Sequence, residues 1–286
     1  MKVDQLKKMY PGTKIAIRPF VPDQGMLYFY ERPYYIAIPA ARLDDREQWI
    51  LSTLLDRETP PLLSKRSAVW YDLLFNGKPV RTDPSKRVRF ILFHMNGGLS
   101  RQNLAEWRKA LAAFSDPETC FLYLSSKEGI IIEETFTLSA DFLEAIANTL
   151  ENDFSVKTFF QIGLRYPVSD LLPKTFREEE RLFRKRLAGA RPKEVMSVES
   201  GVFVLLKPLT ESWGIFEELH RQIADDPAWA SLIRALWHNQ GNISNAARQL
   251  FMHRNTLQYR IDKFYEQTGI SLKRMDGLTV AYLSVL

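Results

Sequence analysis

The sequence predicts a multidomain α+β protein whose C-terminal region is entirely helical. The chain has 286 residues, and at roughly 100–200 residues per domain this length corresponds to two or three domains. Strand-like and helix-like patterns alternate up to about residue 206, whereas every pattern after about residue 209 is helical. Because 45% of the residues are hydrophobic, each part can build a proper core. We therefore divide the chain into residues 1–84, 85–206 and 209–286.

Residues 1–84 are predicted to form an α/β region with aromatic strands over 26–30 and 34–38. A helix follows from an Asp44 or Asp45 cap to about Leu55, and a second helix over 67–75 ends at Asn76-Gly77. The tyrosines of the two strands could line a ligand pocket or contact a partner. Half-buried sheet positions are the more common setting for such residues.

Residues 85–206 are predicted to form an α+β sandwich with helices on a mostly antiparallel sheet. The strands are expected over 88–93, 120–124, 130–132, 157–164 and 202–206, and the helices over 100–114, 139–150 and part of 168–187. The resulting element order is β-α-β-β-α-β-α-β. The charge run over 178–186 in the last helix is expected to be a solvated face with pairs four residues apart.

Composition excludes several classes of protein. The single cysteine, Cys120, excludes an internal disulfide and a zinc-finger site, and its apolar surroundings predict a buried thiol in a reducing compartment. Apolar runs such as 202–206 are far shorter than the roughly 20 residues of a membrane-spanning helix. The N-terminus shows no signal-peptide pattern. A cytoplasmic protein without a membrane partner is therefore expected.

A helix-turn-helix pattern occupies residues 241–269, which read GNISNAARQLFMHRNTLQYRIDKFYEQTG. The first helix is expected to start at Asn242 or Ser244 and to turn a small apolar face inward, formed by Ala246, Ala247 and Leu250. Residues 251–253 make a tight turn, and the second helix runs from 254 to 268 and stops at Gly269. Small residues matter because two steeply crossing helices must approach closely.

The spacing of Leu257, Ile261 and Phe264 predicts a buried stripe on the second helix. The side chains of its opening turns then lie outward or on the flanks, and their types suit DNA. Arg can form bidentate hydrogen bonds with guanine, and Asn or Gln can do so with adenine. The net charge of +5 is mild, but residues 248–263 carry a local excess of three positive charges. The predicted DNA-binding residues are Ser244, His253, Arg254, Asn255, Thr256, Gln258, Tyr259 and Arg260.

Some of these roles remain open at this point. His253 fits a helix cap better than a base-reading residue. Tyr259 could equally be a packing residue or a DNA contact. Asp262 is acidic and should face away from phosphate.

The 241–269 string resembles the C-terminal helix-turn-helix of the PucR (purine catabolism regulator) and CdaR (carbohydrate diacid regulator) family, and it is also similar to that of the Fis class. The family pattern is N-I-S-x-A-A-x-x-L-x-x-H-R-N-T-L-x-Y-R-x-D-K, and the residues that fit it are Asn242, Ile243, Ser244, Ala246, Ala247, Leu250, His253, Arg254, Asn255, Thr256, Leu257, Tyr259, Arg260, Asp262 and Lys263. Phe251 departs from the Fis class, in which a turn glycine is common. The resemblance implies a transcription regulator with a variable sensory region at its N-terminus.

The same resemblance implies a degenerate GGDEF-like domain over 85–206. The stretch 160–180 is similar to a segment of that domain, with matches at Ile162, Gly163, Leu172 and Glu178 and with Phe176 in place of a tyrosine. A working cyclase needs acidic residues for magnesium and a Gly-Gly hairpin that approaches guanine. The hairpin here, 124–130, lacks Gly-Gly followed by acidic residues, and the first strand ends in His-Met-Asn without an aspartate. We therefore expect no catalysis, no cofactor and no metal.

The sequence thus predicts a sequence-specific regulator that binds double-stranded DNA. We expect a homodimer, because one helix reads only a few base pairs, and the N-terminal part could respond to a small-molecule effector. Two alternatives remain. Residues 85–206 could form a nucleotide cyclase or phosphodiesterase, or the helical tail could dock a protein partner through its last apolar residues, Leu278, Ala281, Tyr282 and Val285.

Overall fold

The computed structural model describes residues 3–20, 23–31, 34–58, 63–78, 85–189 and 192–285. The chain divides into two compact units, Met1–Val198 and Glu199–Leu286. Within these units the protein is a mixed α+β structure with two sheets and a helical C-terminal region. The finer division into 1–84, 85–206 and 209–286 stays a prediction.

An antiparallel sheet with strand order β1-β3-β2-β4 opens the first unit. Its elements and the flanking helices are α1 (Val3–Met9), β1 (Lys14–Ala16), β2 (Met26–Glu31), β3 (Tyr34–Pro39), α2 (Asp45–Leu54), β4 (Asp56–Glu58) and α3 (Lys65–Asn76). The predicted aromatic strands and both predicted helices are confirmed. Asp44 caps α2 in a reciprocal capping box with Glu47, and Gly77 ends α3 in the left-handed conformation.

A larger sheet with strand order β6-β7-β5-β8-β9 follows in the same unit. Its elements are β5 (Arg87–Asn96), α4 (Arg101–Ala113), β6 (Cys120–Tyr123), β7 (Glu128–Glu133), α5 (Ala140–Phe154), β8 (Lys157–Pro167), α6 (Leu172–Leu187) and β9 (Val195–Ser197). Its strands pair antiparallel except for β8 and β9, which pair parallel. The predicted order β-α-β-β-α-β-α-β is confirmed, although its last strand is β9 and not 202–206.

Helices cover both faces of the larger sheet. On one face, α3 and α6 contribute Trp70 and Phe176 to a cluster that includes Phe90 of β5. On the other face, α4 and α5 contribute Trp107 and Leu143. Because α3 precedes residue 85, its packing on this sheet crosses the predicted boundary between residues 84 and 85.

The strand predicted over 202–206 is wrong, because these residues lie in a helix, α7 (Val198–Ser212). A short run of apolar residues fits a buried strand and a buried helix equally well by periodicity. Pro208 lies inside this helix. Proline is uncommon in the interior of a helix, so Pro208 gave no sequence signal that these residues are helical.

The charge run over 178–186 is only partly a solvated face, since Glu179 and Arg186 are buried. Glu179 Oε1 accepts hydrogen bonds from the Leu164 N–H at 2.9 Å and the Tyr166 hydroxyl at 2.6 Å. Arg186 donates to the Gln161 side-chain oxygen at 3.0 Å, and burial lowers the pKa of its guanidinium to about 10. Glu179 and Arg186 point inward because α6 packs along β8. The charge pattern of the sequence does not contain this tertiary contact.

The second unit consists of the greater part of α7 followed by α8 (Gly214–Ala224), α9 (Pro227–His238), α10 (Ile243–Gln249), α11 (Arg254–Thr268) and α12 (Met275–Leu283). Asp226 caps α9 by accepting the Ala228 N–H at 2.9 Å, and Pro227 occupies the first helical position. None of the helices in the described part of the chain is long and apolar enough to cross a membrane.

Cys120 lies on β6 within the core of the larger sheet and is buried, as predicted. Burial raises the pKa of its thiol to about 11. At pH 8 the thiolate fraction is therefore about a hundredfold smaller than at a pKa of 9, which adds to the steric protection of the sulfur.

We expect a thiol reagent such as a disulfide dye to leave Cys120 unmodified in the native chain at pH 8. The same reagent should modify one thiol per chain after unfolding in guanidinium. Absorbance of the released dye measures both rates. Modification of the native chain at the rate of the unfolded chain would contradict the buried position.

Candidate nucleic-acid interface

The first helix of the helix-turn-helix begins after Asn242. The Asn242 side-chain oxygen accepts the Asn245 backbone N–H at 3.1 Å, which identifies Asn242 as the cap of α10. The sequence left Asn242 and Ser244 open as starting residues, and this hydrogen bond decides between them. Ser244 lies exposed in the first turn of α10.

Two small residues form the inner face of α10. Ala246 and Ala247 are almost completely buried, and Leu250 is half-buried. The helix packs on both α9 and α11. A larger side chain at either alanine would push the three helices apart, so this part of the sequence prediction is confirmed.

The turn between α10 and α11 is a Schellman motif. The Met252 N–H donates to the Ala247 carbonyl at 2.8 Å, and the Phe251 N–H donates to the Arg248 carbonyl at 3.1 Å. Phe251 has a φ of +54° and so occupies the left-handed position that glycine usually takes in this motif. The motif satisfies the last carbonyls of α10 and directs the chain into α11.

His253 caps α11. Its Nδ1 accepts the Asn255 backbone N–H at 3.2 Å, as the sequence pattern favoured. An acceptor at Nδ1 places the proton of the neutral ring on Nε2, which leaves one donor on an exposed side chain. At the other end of the helix, Gly269 has a φ of +72° and terminates α11.

The buried stripe predicted for α11 is confirmed. Leu257, Ile261 and Phe264 are each no more than 2% exposed. They lie in one hydrophobic core with residues of α8, α9, α10 and α12, and the Phe264 ring contacts Trp229 edge-on at 5.2 Å between centroids. This burial fixes the rotation of α11 about its own axis.

The surface of α11 outside this stripe carries most of the predicted DNA-binding residues. Its exposed members are Arg254, Asn255, Thr256 and Tyr259, and its half-buried members are Gln258 and Arg260. Tyr259 is 69% exposed, so it is not a packing residue of the helical unit. Together with Ser244 and His253, the predicted residues lie on α10, on α11 and at the cap between them.

Asp262 is held by two side chains that flank it. Lys273 approaches its carboxylate at 2.7 Å, and the Gln258 amide donates to it at 3.3 Å. These hydrogen bonds, that of Lys273 first, lower the pKa of Asp262. The carboxylate therefore stays ionised but is paired with a cation, which weakens its repulsion of phosphate.

Sequence reasoning missed Lys273, because it lies four residues beyond the segment 241–269 that carries the motif. It also missed that Asp262 holds Gln258, one of the predicted base-reading residues. The two residues are four apart on one helix, and this spacing was the available signal.

The loop that carries Lys273 packs closely on α12. A Cβ at Gly277 would lie 2.3 Å from the Ser271 carbonyl oxygen, so only glycine permits this approach. The last helix also packs inward, since Leu278 and Ala281 are buried and the Tyr282 ring stacks on Trp237 at 4.3 Å between centroids. Val285, which follows this helix, is buried as well. The apolar face of α12 thus belongs to the core of the helical unit.

The electrostatics of the helix-turn-helix favour an anionic partner. Arg248, Arg254 and Lys263 are exposed, and the free N–H groups at the start of α11 add a partial positive charge. In the described ranges, no three His, Cys, Asp or Glu side chains lie together in a way that could hold a metal ion. The exposed donors of this arrangement can contact phosphates and base edges.

Comparison with known proteins agrees with this geometry. Residues 230–286 match the family described as the PucR C-terminal helix-turn-helix domain. The chain is 28% identical to the uncharacterized protein YxkF of Bacillus subtilis (strain 168), over 98% of this chain and 97% of that protein. It is 23% identical to a leucine-rich protein of Streptococcus dysgalactiae subsp. equisimilis, over 99% of both chains.

Among solved structures, the chain is similar to a crystal structure of a regulator of polyketide synthase expression from Bifidobacterium adolescentis. The match covers 76% of this chain and 89% of that chain, with 16% identity and a TM-score of 0.34.

We expect Leu257→Ala to lower the free energy of unfolding by about 2–5 kcal/mol, because it leaves a cavity at the centre of the helical core. Urea unfolding of the full chain, followed by far-UV circular dichroism, measures the change. Glu266→Ala, on the exposed side of the same helix, is the matched control and should change stability by no more than about 0.5 kcal/mol. Equal effects of the two substitutions would contradict the buried stripe.

Proposed function

We propose that this chain, whose residues 230–286 are a PucR-type C-terminal helix-turn-helix domain, is a transcriptional regulator that binds specific sequences in double-stranded DNA. One observation carries the proposal. The burial of Leu257, Ile261 and Phe264 leaves the opening turns of α11 exposed, together with their polar and basic side chains. A helix oriented in this way can enter a major groove with its N-terminal residues against the bases.

The side chains of α11 suit separate parts of DNA. Arg254 can donate two parallel hydrogen bonds to guanine, and Asn255 can pair with the donor and acceptor of adenine. The N–H groups at the start of α11 and the Nε2–H of His253 are donors for phosphate oxygens. Gln258 reaches a base only by giving up its hydrogen bond to Asp262.

We further propose that the regulator acts as a dimer in the cytoplasm and responds to a signal through its N-terminal part. A single reading helix contacts only a few base pairs, so two copies on paired half-sites are needed for useful specificity. The resemblance to PucR and CdaR regulators supports a sensory role for the residues that precede the helix-turn-helix.

We propose that residues 85–206 are a non-catalytic, GGDEF-like module. The turn between β6 and β7, where a cyclase needs Gly-Gly, is built from serines here. Ser125 accepts the N–H groups of Lys127 and Glu128, and the Ser126 N–H and hydroxyl donate to Glu58 at 2.7 and 2.8 Å. The serines of this turn are engaged in hydrogen bonds within the protein, which supports a structural or signalling role.

The alternative in which the helical tail docks a protein partner has less support. Its apolar residues Leu278, Ala281 and Val285 are already buried within the helical unit, and Tyr282 is stacked on Trp237. Docking through these side chains would require that core to open.

Selection of bound sequences from a random DNA pool by the full chain tests the proposed function. We expect a defined and symmetric site, with affinity that falls as salt rises. Arg254→Ala should lose specific binding of that site, a change of at least about tenfold in affinity, because the guanine contact is removed. Fluorescence anisotropy with a labelled site measures the change.

Arg221→Ala is the matched control, because Arg221 is an exposed residue of α8 and its substitution removes the same positive charge. It should bind like the wild-type chain, and both variants should keep the wild-type melting temperature. Unchanged affinity of Arg254→Ala would refute the role of that residue. A wild-type chain without salt-sensitive binding to any DNA would contradict the proposed function.

Incubation with GTP and magnesium tests the proposed absence of catalysis. We expect no cyclic nucleotide or pyrophosphate above the level of a heat-denatured control, because the acidic residues that hold magnesium in a cyclase are absent from the corresponding sequence positions. Chromatography of the reaction mixture provides the measurement. Product formation in proportion to the amount of folded protein would favour the cyclase alternative.

A further inference from the structure

Phe251 combines two features that rarely occur together. Its side chain is 98% exposed, the largest exposure among the exposed large hydrophobic residues of the described chain. Its backbone has a φ of +54°, which is an uncommon conformation for a bulky residue. Neither feature contributes to the stability of the helical unit.

The Schellman turn itself does not require an aromatic residue. Both of its hydrogen bonds involve backbone atoms, and glycine or asparagine adopts the left-handed position with less strain. A phenylalanine at this position also keeps its whole ring in water. Strain and exposure together indicate a residue whose side chain has a use outside the protomer.

The position of Phe251 favours one kind of partner. Only two residues lie between it and Arg254, so the two Cα atoms lie within about 11 Å of each other. Arg248 lies exposed on the other side of Phe251 along the chain. Phe251 therefore lies between two exposed arginines along the chain, just before α11 begins. A second protein that covered the ring with an apolar patch would also have to accommodate these positive charges.

We propose that Phe251 is an apolar contact residue for DNA, whose ring packs on a thymine methyl group or a deoxyribose at the edge of the groove that α11 enters. Both are apolar surfaces of DNA that an aromatic side chain can cover. The inference rests on the proposed function and adds to it a contact that involves neither charge nor base hydrogen bonds.

Two substitutions test this contact in the full chain with the selected DNA site. Phe251→Asn removes the ring but keeps a residue that tolerates the left-handed turn, so its melting temperature should not fall below that of the wild-type chain. Its affinity should fall by about tenfold or more, since a covered aromatic ring removes a large apolar area from water. Phe251→Leu keeps an apolar side chain and should bind within about threefold of the wild-type chain.

The salt dependence separates this contact from the ionic ones. The slope of log affinity against log salt should be the same for Phe251→Asn and the wild-type chain, because no phosphate contact is lost. Ile215→Asn is the matched control, since Ile215 is an exposed apolar residue on α8, and it should bind like the wild-type chain.

Three results would overturn the proposal. If Phe251→Asn binds the site as tightly as the wild-type chain does, the ring makes no contact with DNA. If Phe251→Asn has a lower oligomeric mass in sedimentation, the ring belongs to a subunit interface instead. If the wild-type chain binds no DNA, the proposed function and this inference both fail, whereas the first two results leave the proposed function intact.

Discussion

The contact of Leu257, Ile261 and Phe264 with the helical core is the constraint on which the rest of this unit depends. It sets the rotation of α11, and that rotation decides which side chains meet water. The cap at His253 and the Schellman turn then set where the helix begins. The exposed surface thus owes its geometry to apolar packing beneath it and to hydrogen bonds at one end of the helix.

The exposed surface of α11 contains both cations and one neutralised carboxylate. The one acidic residue in the local basic stretch is paired with Lys273 and also holds Gln258. Arg254 and the free N–H groups of α11 are the positive groups nearest to the start of the helix. The surface is therefore positive at the start of α11, whereas the carboxylate farther along the helix is neutralised by Lys273. This distribution suits a ligand that presents phosphates on either side of a groove.

The sequence predicted best where the governing interactions are local. The end of α11 at Gly269 and the stripe on α11 follow from residues a few positions apart. The caps of α2 and α10 were each narrowed to two candidates, of which the structure selects Asp44 and Asn242. The sequence prediction failed over 202–206, where an apolar run fits either a strand or a helix, and at Glu179 and Arg186, whose burial depends on how α6 lies on β8. It also missed Lys273, whose role depends on a contact with a residue eleven positions earlier. Such contacts are set by tertiary packing, which a one-dimensional pattern does not contain.

The absence of a side chain at Gly277 affects an ion pair in which this residue takes no part. Its bare backbone lets the loop at Ser271 rest on α12, and that loop carries Lys273 to Asp262. A side chain at position 277 would lift the loop, and the Asp262 carboxylate of α11 would lose its counter-ion. The local charge of α11 is in this way tied to a steric condition at a position that itself bears no charge.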